Sequence, residues 1–263
     1  MNISFIGFGN MAKAIARGLG NYPELYSLSA SAPSLADGIN KNKIRTHSDN
    51  KELIKNADLI ILAVKPAQMK VVLQEITPQL SKNSLLISIA AGLNFSWFSH
   101  YCPKEQAIIR TMPNTPAAVG LAATPMIANQ FTTAEQKQWA EQIFTTIGIV
   151  TWAATEADMD SFTALSGSGP AYVFLFIEAM VDAAVAMGIE PTIAKKFALQ
   201  TFRGAIKLAE NDDLSLNLLR TKVTSPGGTT AAALEVLNGR FDALIIAAME
   251  AAKCRSQDIS AAY

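Results

Sequence analysis

As far as Trp152, short aliphatic or β-branched runs alternate with amphipathic helical patterns, and from Glu156 onward the strand patterns stop. That change of period constrains the fold more than any single motif. Strands that alternate with helices make a parallel sheet wound by its crossovers, and helices that follow without strands must pack on one another. Strands are expected at Ile3–Ile6, Tyr26–Ser29, Leu59–Val64, Leu85–Ile89 and Ala107–Arg110, with weaker signals at Ile44–Thr46, Pro125–Ala128 and Ile149–Trp152. Helical patterns fill Met11–Leu19, Ser48–Ala57, Ala67–Ile76 and Thr133–Thr146 between them. Beyond Glu156 the expected helices are Ala171–Met187, Ile193–Glu210, Leu214–Lys222, Thr230–Leu237 and Phe241–Ala261. Gly188 lies past the first of these, Pro191 opens the next, and Asn238-Gly239 separates the last two.

Two domains follow from this pattern, residues 1–153 with the sheet and residues 154–263 all helical. The helices after Glu156 are more apolar than a unit of that size can bury alone, which predicts a homodimer formed through them. The longest apolar run, Ala171–Met187, is interrupted by Glu178 and Asp182 at i,i+4 spacing, so it reads as a buried helix of a soluble protein and not as a membrane span. Twenty-two basic residues balance 22 acidic ones. That balance removes the electrostatic footprint of a nucleic-acid or anionic-membrane partner and leaves small molecules and further copies of the chain. The start Met1–Gly7 has no basic segment ahead of its apolar run and reads as a strand, so a cytoplasmic location is expected. Cys102 and Cys254 are too few for a disulfide framework and are not spaced as metal ligands; two reduced thiols and no metal are expected.

Gly7-Phe8-Gly9-Asn10-Met11-Ala12 follows the first strand and opens the first helix. This is the G-x-G-x-x-A form of the dinucleotide fingerprint: Gly7 for the turn, Gly9 for close approach of a pyrophosphate, Ala12 for packing. The first domain is therefore expected to be a Rossmann-like dinucleotide-binding domain. A site for NAD ends its second strand with an acid, whereas here that end reads Ser29-Ala30-Ser31-Ala32-Pro33-Ser34. Small hydroxyls leave room for a 2′-phosphate and can donate to it, so NADPH fits better, with NADH still possible; the other reading is an ordinary polar loop. Ala63-Val64-Lys65-Pro66 ends the next main strand, in the crevice beyond the strands' carboxyl ends. There its backbone would pass over ribose and nicotinamide, or Lys65 is simply a lysine in solvent. Ile89-Ala90-Ala91-Gly92 offers small residues that let a flat ring approach, or is a plain strand-to-helix turn. Arg110-Thr111-Met112-Pro113-Asn114-Thr115-Pro116 is a stiff polar loop at the same edge; Asn114 either meets the nicotinamide carboxamide or redirects the chain.

Two glycine-serine segments lie among the helices. Leu165-Ser166-Gly167-Ser168-Gly169-Pro170-Ala171-Tyr172 and Ser225-Pro226-Gly227-Gly228-Thr229-Thr230 each lead into a helix. Free N–H groups at a helix start suit a carboxylate or phosphate; two well-capped helices with Ser168 as an ordinary cap are the other reading. His47 and His100 both fall in the first domain, no His–Asp pair appears among the helices, and nothing obvious there supplies a strong proton donor. A ketone would need one near its oxygen, but an iminium already carries its proton, so the set fits reduction of C=N better than of C=O.

Gly7-x-Gly9, Ala63–Pro66, Leu165–Tyr172 and Val223–Thr230, in this order over essentially the whole chain, resemble the pyrroline-5-carboxylate reductases. The fingerprint is shared by many families, but the two glycine-serine segments in this order are specific to that one. The resemblance implies NAD(P)H-dependent reduction of 1-pyrroline-5-carboxylate to L-proline, the last step of proline biosynthesis, in a dimer or a ring of dimers. It assigns the substrate carboxylate to Ser225, Gly227, Gly228 and Thr229, and the ring nitrogen to the catalytic Thr230. Ser168 and Gly169 would line the ring pocket. On the cofactor side it implies Ile6, Gly7, Phe8, Gly9, Asn10, Met11, Ser31, Asn50, Ala63, Val64, Lys65, Pro66, Ala90, Ala91 and Gly92, with Asn50 at the adenosine half. An acid near Asp213 also occurs in the family close to the substrate amine, but Glu210, Asp212 and Asp213 offer three candidates and none is assigned. Thr229 stands where relatives often carry a small residue, and the second-strand loop lacks a basic clamp for a 2′-phosphate.

Two rival activities share parts of this layout. A two-domain 3-hydroxyacid dehydrogenase would carry a catalytic lysine on its first long helix, and Ala171–Met187 has none. A non-catalytic NAD(P)-sensing protein would have no use for the Ser225–Thr230 turn.

Overall fold

The structure, a computed structural model, describes residues 1–262. The chain divides into two compact units, Met1–Ser168 together with the chain from Ala251 on, and Gly169–Glu250.

The first unit is built on a nine-stranded sheet in the order β3-β4-β2-β1-β5-β6-β7-β8-β9. The strands are β1 (Asn2–Ile6), β2 (Ser27–Ser31), β3 (Gly38–Ile39), β4 (Arg45–His47), β5 (Leu59–Leu62), β6 (Leu85–Ser88), β7 (Ile108–Thr111), β8 (Ala122–Ala128) and β9 (Gly148–Trp152). The helices of this region are α1 (Asn10–Leu19), α2 (Asn50–Ile54), α3 (Pro66–Ile76), α4 (Phe95–Ser99), α5 (Ala134–Thr145) and α6 (Glu156–Phe162). β5, β6 and β7 are buried at every position, which is why they read as unbroken aliphatic runs. Their side chains alternate between two cores: Ile3, Phe5, Leu59 and Ile61 join Ile15, Leu19 and Phe144 on one face. Ile6, Ile60 and Leu62 join Met69, Leu73 and Phe98 on the other.

The sequence pattern predicts a parallel sheet, and the sheet is instead mixed. β7 pairs antiparallel with β8, and β3 with β4. Between β7 and β8 the chain makes no crossover helix, only a 3-10 turn at Thr115–Val119, so it must return in the opposite direction. β1 lies between β2 and β5, both parallel to it. There the strand order reverses, and the crevice beyond the carboxyl ends opens at Gly7.

Glu156–Ser168, placed by sequence in the helical domain, packs with the sheet unit: Met159 is buried, and Asn114 Nδ2 donates to the Ser166 carbonyl at 2.9 Å. The far end of α11 (Arg240–Ala261) also belongs to this unit. There Ser256 donates to Asp160 Oδ1 at 2.6 Å, and Ile259 stands where a side chain on Gly92 would go.

The second unit holds α7 (Gly169–Ala186), α8 (Pro191–Asn211), α9 (Leu216–Lys222) and α10 (Thr229–Leu237) with the start of α11. The expected burial of the longest apolar helix is not found in the single chain. α7 has no buried residue, and Phe174 and Leu175 are each 66% exposed. Phe197, Leu208 and Leu244 of the neighbouring helices are exposed as well. Among the described residues of this unit, the buried apolar side chains are Ala194 and Ala198 alone. The helices therefore have apolar faces but no core of their own, and only further protein or a lipid phase can cover such faces. The helix Glu156–Ala186 has 31 residues and is long and apolar enough to cross a membrane by length and composition.

Candidate active site

Three helices follow a glycine, α11 after Gly239 being one of them, and the other two lie in the glycine-rich segments of the sequence. α1 starts after Gly9 and α10 after Gly228, neither with a side-chain cap. By contrast Asp49, Asn94, Thr133, Glu190 and Ser215 each accept N–H groups at the starts of α2, α4, α5, α8 and α9. Within α1 the first backbone bond is Lys13 N–H to the Gly9 carbonyl, so the N–H groups of Asn10, Met11 and Ala12 have no partner inside the helix. The same holds at α10, where the first bond is Ala232 N–H to the Gly228 carbonyl. Three orphan donors and the positive end of the helix dipole make each a seat for an anion.

The glycine loop fits a dinucleotide. Gly7 has φ +86°, and a Cβ there would stand 2.7 Å from the Ala63 carbonyl oxygen, so no other residue fits the turn. Gly9 instead has open space on the side where its Cβ would be, room for a diphosphate to approach the backbone. The loop is tied to both flanking strands, with Gly7 N–H donating to the Ser31 carbonyl at 2.9 Å and Ala63 N–H to the Ile6 carbonyl at 2.8 Å. Lys65 is exposed at the N-terminus of α3, with Pro66 as its first residue. Ala90, Ala91 and Gly92 follow β6 at the same edge, Gly92 in a left-handed conformation (φ +79°) and pressed by Ile259.

Ser31 does not play the part expected of it. It is fully buried, and its hydroxyl donates to Asn50 Oδ1 at 2.5 Å, so it has no proton left for a 2′-phosphate. Asn50 in turn donates from Nδ2 to Glu75 Oε2 at 2.8 Å. Nothing in the sequence marks Glu75, an acid near the end of an ordinary amphipathic helix.

Asn114 is also taken. Its carbonyl oxygen accepts from Ala123 N–H at 3.0 Å while its amide donates to the Ser166 carbonyl, and the residue is 8% exposed. A side chain spent on two backbone groups braces the β7–β8 loop; the contact expected with the nicotinamide carboxamide is replaced by this bracing. Arg110, just before it, pairs with Glu156, which also accepts Phe95 N–H at 2.9 Å.

The first glycine-serine segment leads into α7 at Gly169, as expected, but the chain ahead of it is already helical. Thr163–Gly167 forms a π-helical turn, closed by Ser168 N–H donating to the Thr163 carbonyl at 2.8 Å, within the helix that runs from Glu156 to Ala186. The N–H of Ser168 is therefore unavailable to an anion, and its part in a site must come through its hydroxyl. Gly167 faces Met112 and Thr163, and a Cβ there would make ordinary contact with both. Turns of this kind are frequent at functional sites.

The second segment keeps its expected form. Gly228 N–H donates to the Ser225 carbonyl at 3.0 Å across Pro226 and Gly227, the latter at φ +70°. This is the residue pattern of a type II turn, proline second and left-handed glycine third. Thr229 and Thr230 form the first turn of α10, Thr230 half-buried. Among the described residues neither hydroxyl, nor that of Ser225, makes a hydrogen bond. An exposed donor array with three uncommitted hydroxyls is suited to a small carboxylate with a polar group beside it. Cys102 and Cys254 are free thiols; burial pushes the Cys102 thiol up to about 12, which removes it as a nucleophile.

Known proteins match both halves. Residues 156–259 match the family model described as pyrroline-5-carboxylate reductase dimerisation. Residues 2–92 match that of coenzyme F420-dependent NADP oxidoreductases. Pyrroline-5-carboxylate reductase of Pseudomonas aeruginosa is 36% identical over 98% of this chain and 96% of its own length. The crystal structure of the Plasmodium falciparum enzyme with NADP bound superposes with a TM-score of 0.88 at 35% identity, covering 99% of this chain and 98% of that one. A pyrroline-5-carboxylate reductase from Coxiella burnetii gives a TM-score of 0.92 at 39% identity, covering 98% of each chain. Likeness of this extent, spanning both the glycine loop and the Ser225–Thr230 turn, places the chain in the pyrroline-5-carboxylate reductase family.

Proposed function

We propose that this protein reduces 1-pyrroline-5-carboxylate to L-proline, the final step of proline biosynthesis, with NADPH as electron donor and NADH as a poorer one. The observation that carries the reading is the Ser225–Thr230 turn, an uncapped helix start flanked by free hydroxyls. Ser225, Gly227, Gly228 and Thr229 hold the carboxylate, through the N–H groups left free at the start of α10 and the Ser225 and Thr229 hydroxyls, with the glycines leaving the approach open. Thr230 puts its hydroxyl on the ring nitrogen, and the hydroxyl of Ser168, with Gly169, meets the ring.

The dinucleotide is cradled by Ile6–Met11 at the diphosphate, Asn50 at the adenosine half, and Ala63–Pro66 and Ala90–Gly92 towards the nicotinamide. Ser31 contributes through Asn50. When bound, the reduced nicotinamide supplies a hydride, two electrons and one proton's mass, to the imine carbon. The C=N π bond becomes the nitrogen lone pair; the protein's task is to keep that nitrogen protonated and oriented. Thr230 does this with a neutral hydroxyl, and no histidine or lysine is required because the iminium arrives with its proton. α7 carries no lysine, which argues against the 3-hydroxyacid chemistry that needs one.

The exposed apolar faces of α7, α8 and α11 fit association of this chain with itself, as a dimer and in rings of dimers. Its balanced charge fits neither nucleic acid nor an anionic membrane as partner, and a cytoplasmic enzyme is the reading we adopt. The functional division follows the sequence, with residues 1–153 for the cofactor and 154–263 for substrate and assembly.

The test is direct. Purified protein mixed with NADPH and pyrroline-5-carboxylate is expected to lose nicotinamide absorbance in step with proline formed; absence of turnover with either coenzyme refutes the proposal.

A further inference from the structure

We propose that Glu75 is a positioning residue for the adenosine half of the dinucleotide, acting through Asn50. The inference rests on the reading that Asn50 meets the adenosine. Asn50 opens α2 just after β4, whose last residue, His47, lies in register with Ser31 at the carboxyl edge of the sheet. Three elements thus converge on one amide: β2 through Ser31, α2 through Asn50 itself, and α3 through Glu75.

An asparagine amide is symmetric in shape, and only its partners decide which end is oxygen. An ionised carboxylate accepts hydrogen bonds and never donates. Glu75 therefore compels Asn50 to turn its NH₂ group towards α3, where Nδ2 stands 2.8 Å from Oε2. The carbonyl end then faces β2 and takes the Ser31 proton at 2.5 Å. Full burial of Ser31 fixes that end of the chain. One N–H of Asn50 is left over, pointing in a direction set by the other two contacts. It is a donor and so selects an acceptor on the nucleoside, an oxygen of the ribose or an unprotonated nitrogen of the base.

Without Glu75 the amide would be free to rotate, and each binding event would have to fix it. The site would weaken for NADPH and NADH alike, because nothing in this chain of contacts reaches a 2′-phosphate. The loss expected is that of about one net hydrogen bond, roughly 3–10-fold in affinity.

The experiment is a cofactor-fluorescence titration of the full-length oligomeric enzyme, with NADPH and with NADH, on four variants. Glu75→Ala is expected to raise Kd about 3–10-fold for both coenzymes, and Asn50→Ala at least as much. The double variant is expected to be no weaker than Asn50→Ala alone, because the two residues act as one unit. Glu75→Gln, whose amide oxygen still accepts, is expected to restore near-normal affinity and guards against misfolding of the alanine variant. Unchanged affinity in Glu75→Ala alongside a loss in Asn50→Ala overturns the positioning role, as does an additive double variant. Unchanged affinity in Asn50→Ala instead removes Asn50 from the adenosine site, and the proposal falls with that reading.

Discussion

Thr230 and Asn114 mark two ways in which a single residue serves this site. Thr230 has a hydroxyl without a partner at an open helix start, so its removal costs the fold little and the reaction much. Thr230→Ala is expected to lower kcat about 10–100-fold, the worth of a hydrogen bond to a charged nitrogen, with NADPH affinity nearly unchanged. A parallel loss of cofactor binding would count against that role. Asn114 is the reverse case, since Asn114→Ala would strand the Ala123 N–H and the Ser166 carbonyl together. About 2–4 kcal/mol of stability should go with it, read as a drop in the urea midpoint. The sequence showed Asn114 as a polar residue between prolines at the right edge of the sheet. It could not show that both ends of the amide are spent, because one partner is the backbone of β8 across an irregular loop and the other, Ser166, comes from far along the chain. Ser31 was misread for the same reason: a small hydroxyl at the end of β2 looks available until Asn50, from the next layer, takes its proton.

Elements were legible where period and punctuation agreed. β5 and β6 are unbroken aliphatic runs between turn signals, and α1 pairs a glycine start with an apolar stripe, so their limits fall within two residues of expectation. The π turn at Thr163–Gly167 was not legible, because glycine and serine in sequence read as a break, and its closure depends on a carbonyl five residues back. Nor was the antiparallel step at β8, where the missing crossover and not the strand's composition decides the direction. At the glycine loop, Gly7→Ala must force a Cβ towards the Ala63 carbonyl from a left-handed backbone, and is expected to weaken NADPH binding by at least about 10-fold. Wild-type affinity in that variant would show that the loop can open without cost. The start of α8 gives a pH signature. The Glu190 carboxylate accepts N–H groups from Thr192 and Ile193, which holds it below the usual range. Its contribution is present above the unfolded value of about 4.3 and lost as pH falls through the lower folded value. Acid thermal melts below about pH 4 should therefore show a shallower decline in Glu190→Ala than in the parent; equal slopes would remove the cap.

The whole molecule is explained by what its helical unit lacks. Phe174, Leu175, Phe197 and Leu244 stand exposed in the single chain, and the alanines buried among the helices supply almost no core. Sequence composition foretold the excess of apolar surface and hence self-association. Leu175→Glu is expected to shift the sedimentation profile towards monomer or to leave the protein insoluble; an unchanged assembly would exclude that face from the interface. The turn before α10 is proposed to grip a carboxylate and aim Thr230 at an imine. Comparing kcat/KM for 1-pyrroline-5-carboxylate with that for 1-pyrroline, the same ring without the acid, tests it most directly. Two charge-assisted hydrogen bonds predict a preference of about 100-fold or more for the carboxylate. Equal efficiency on the two rings would contradict it.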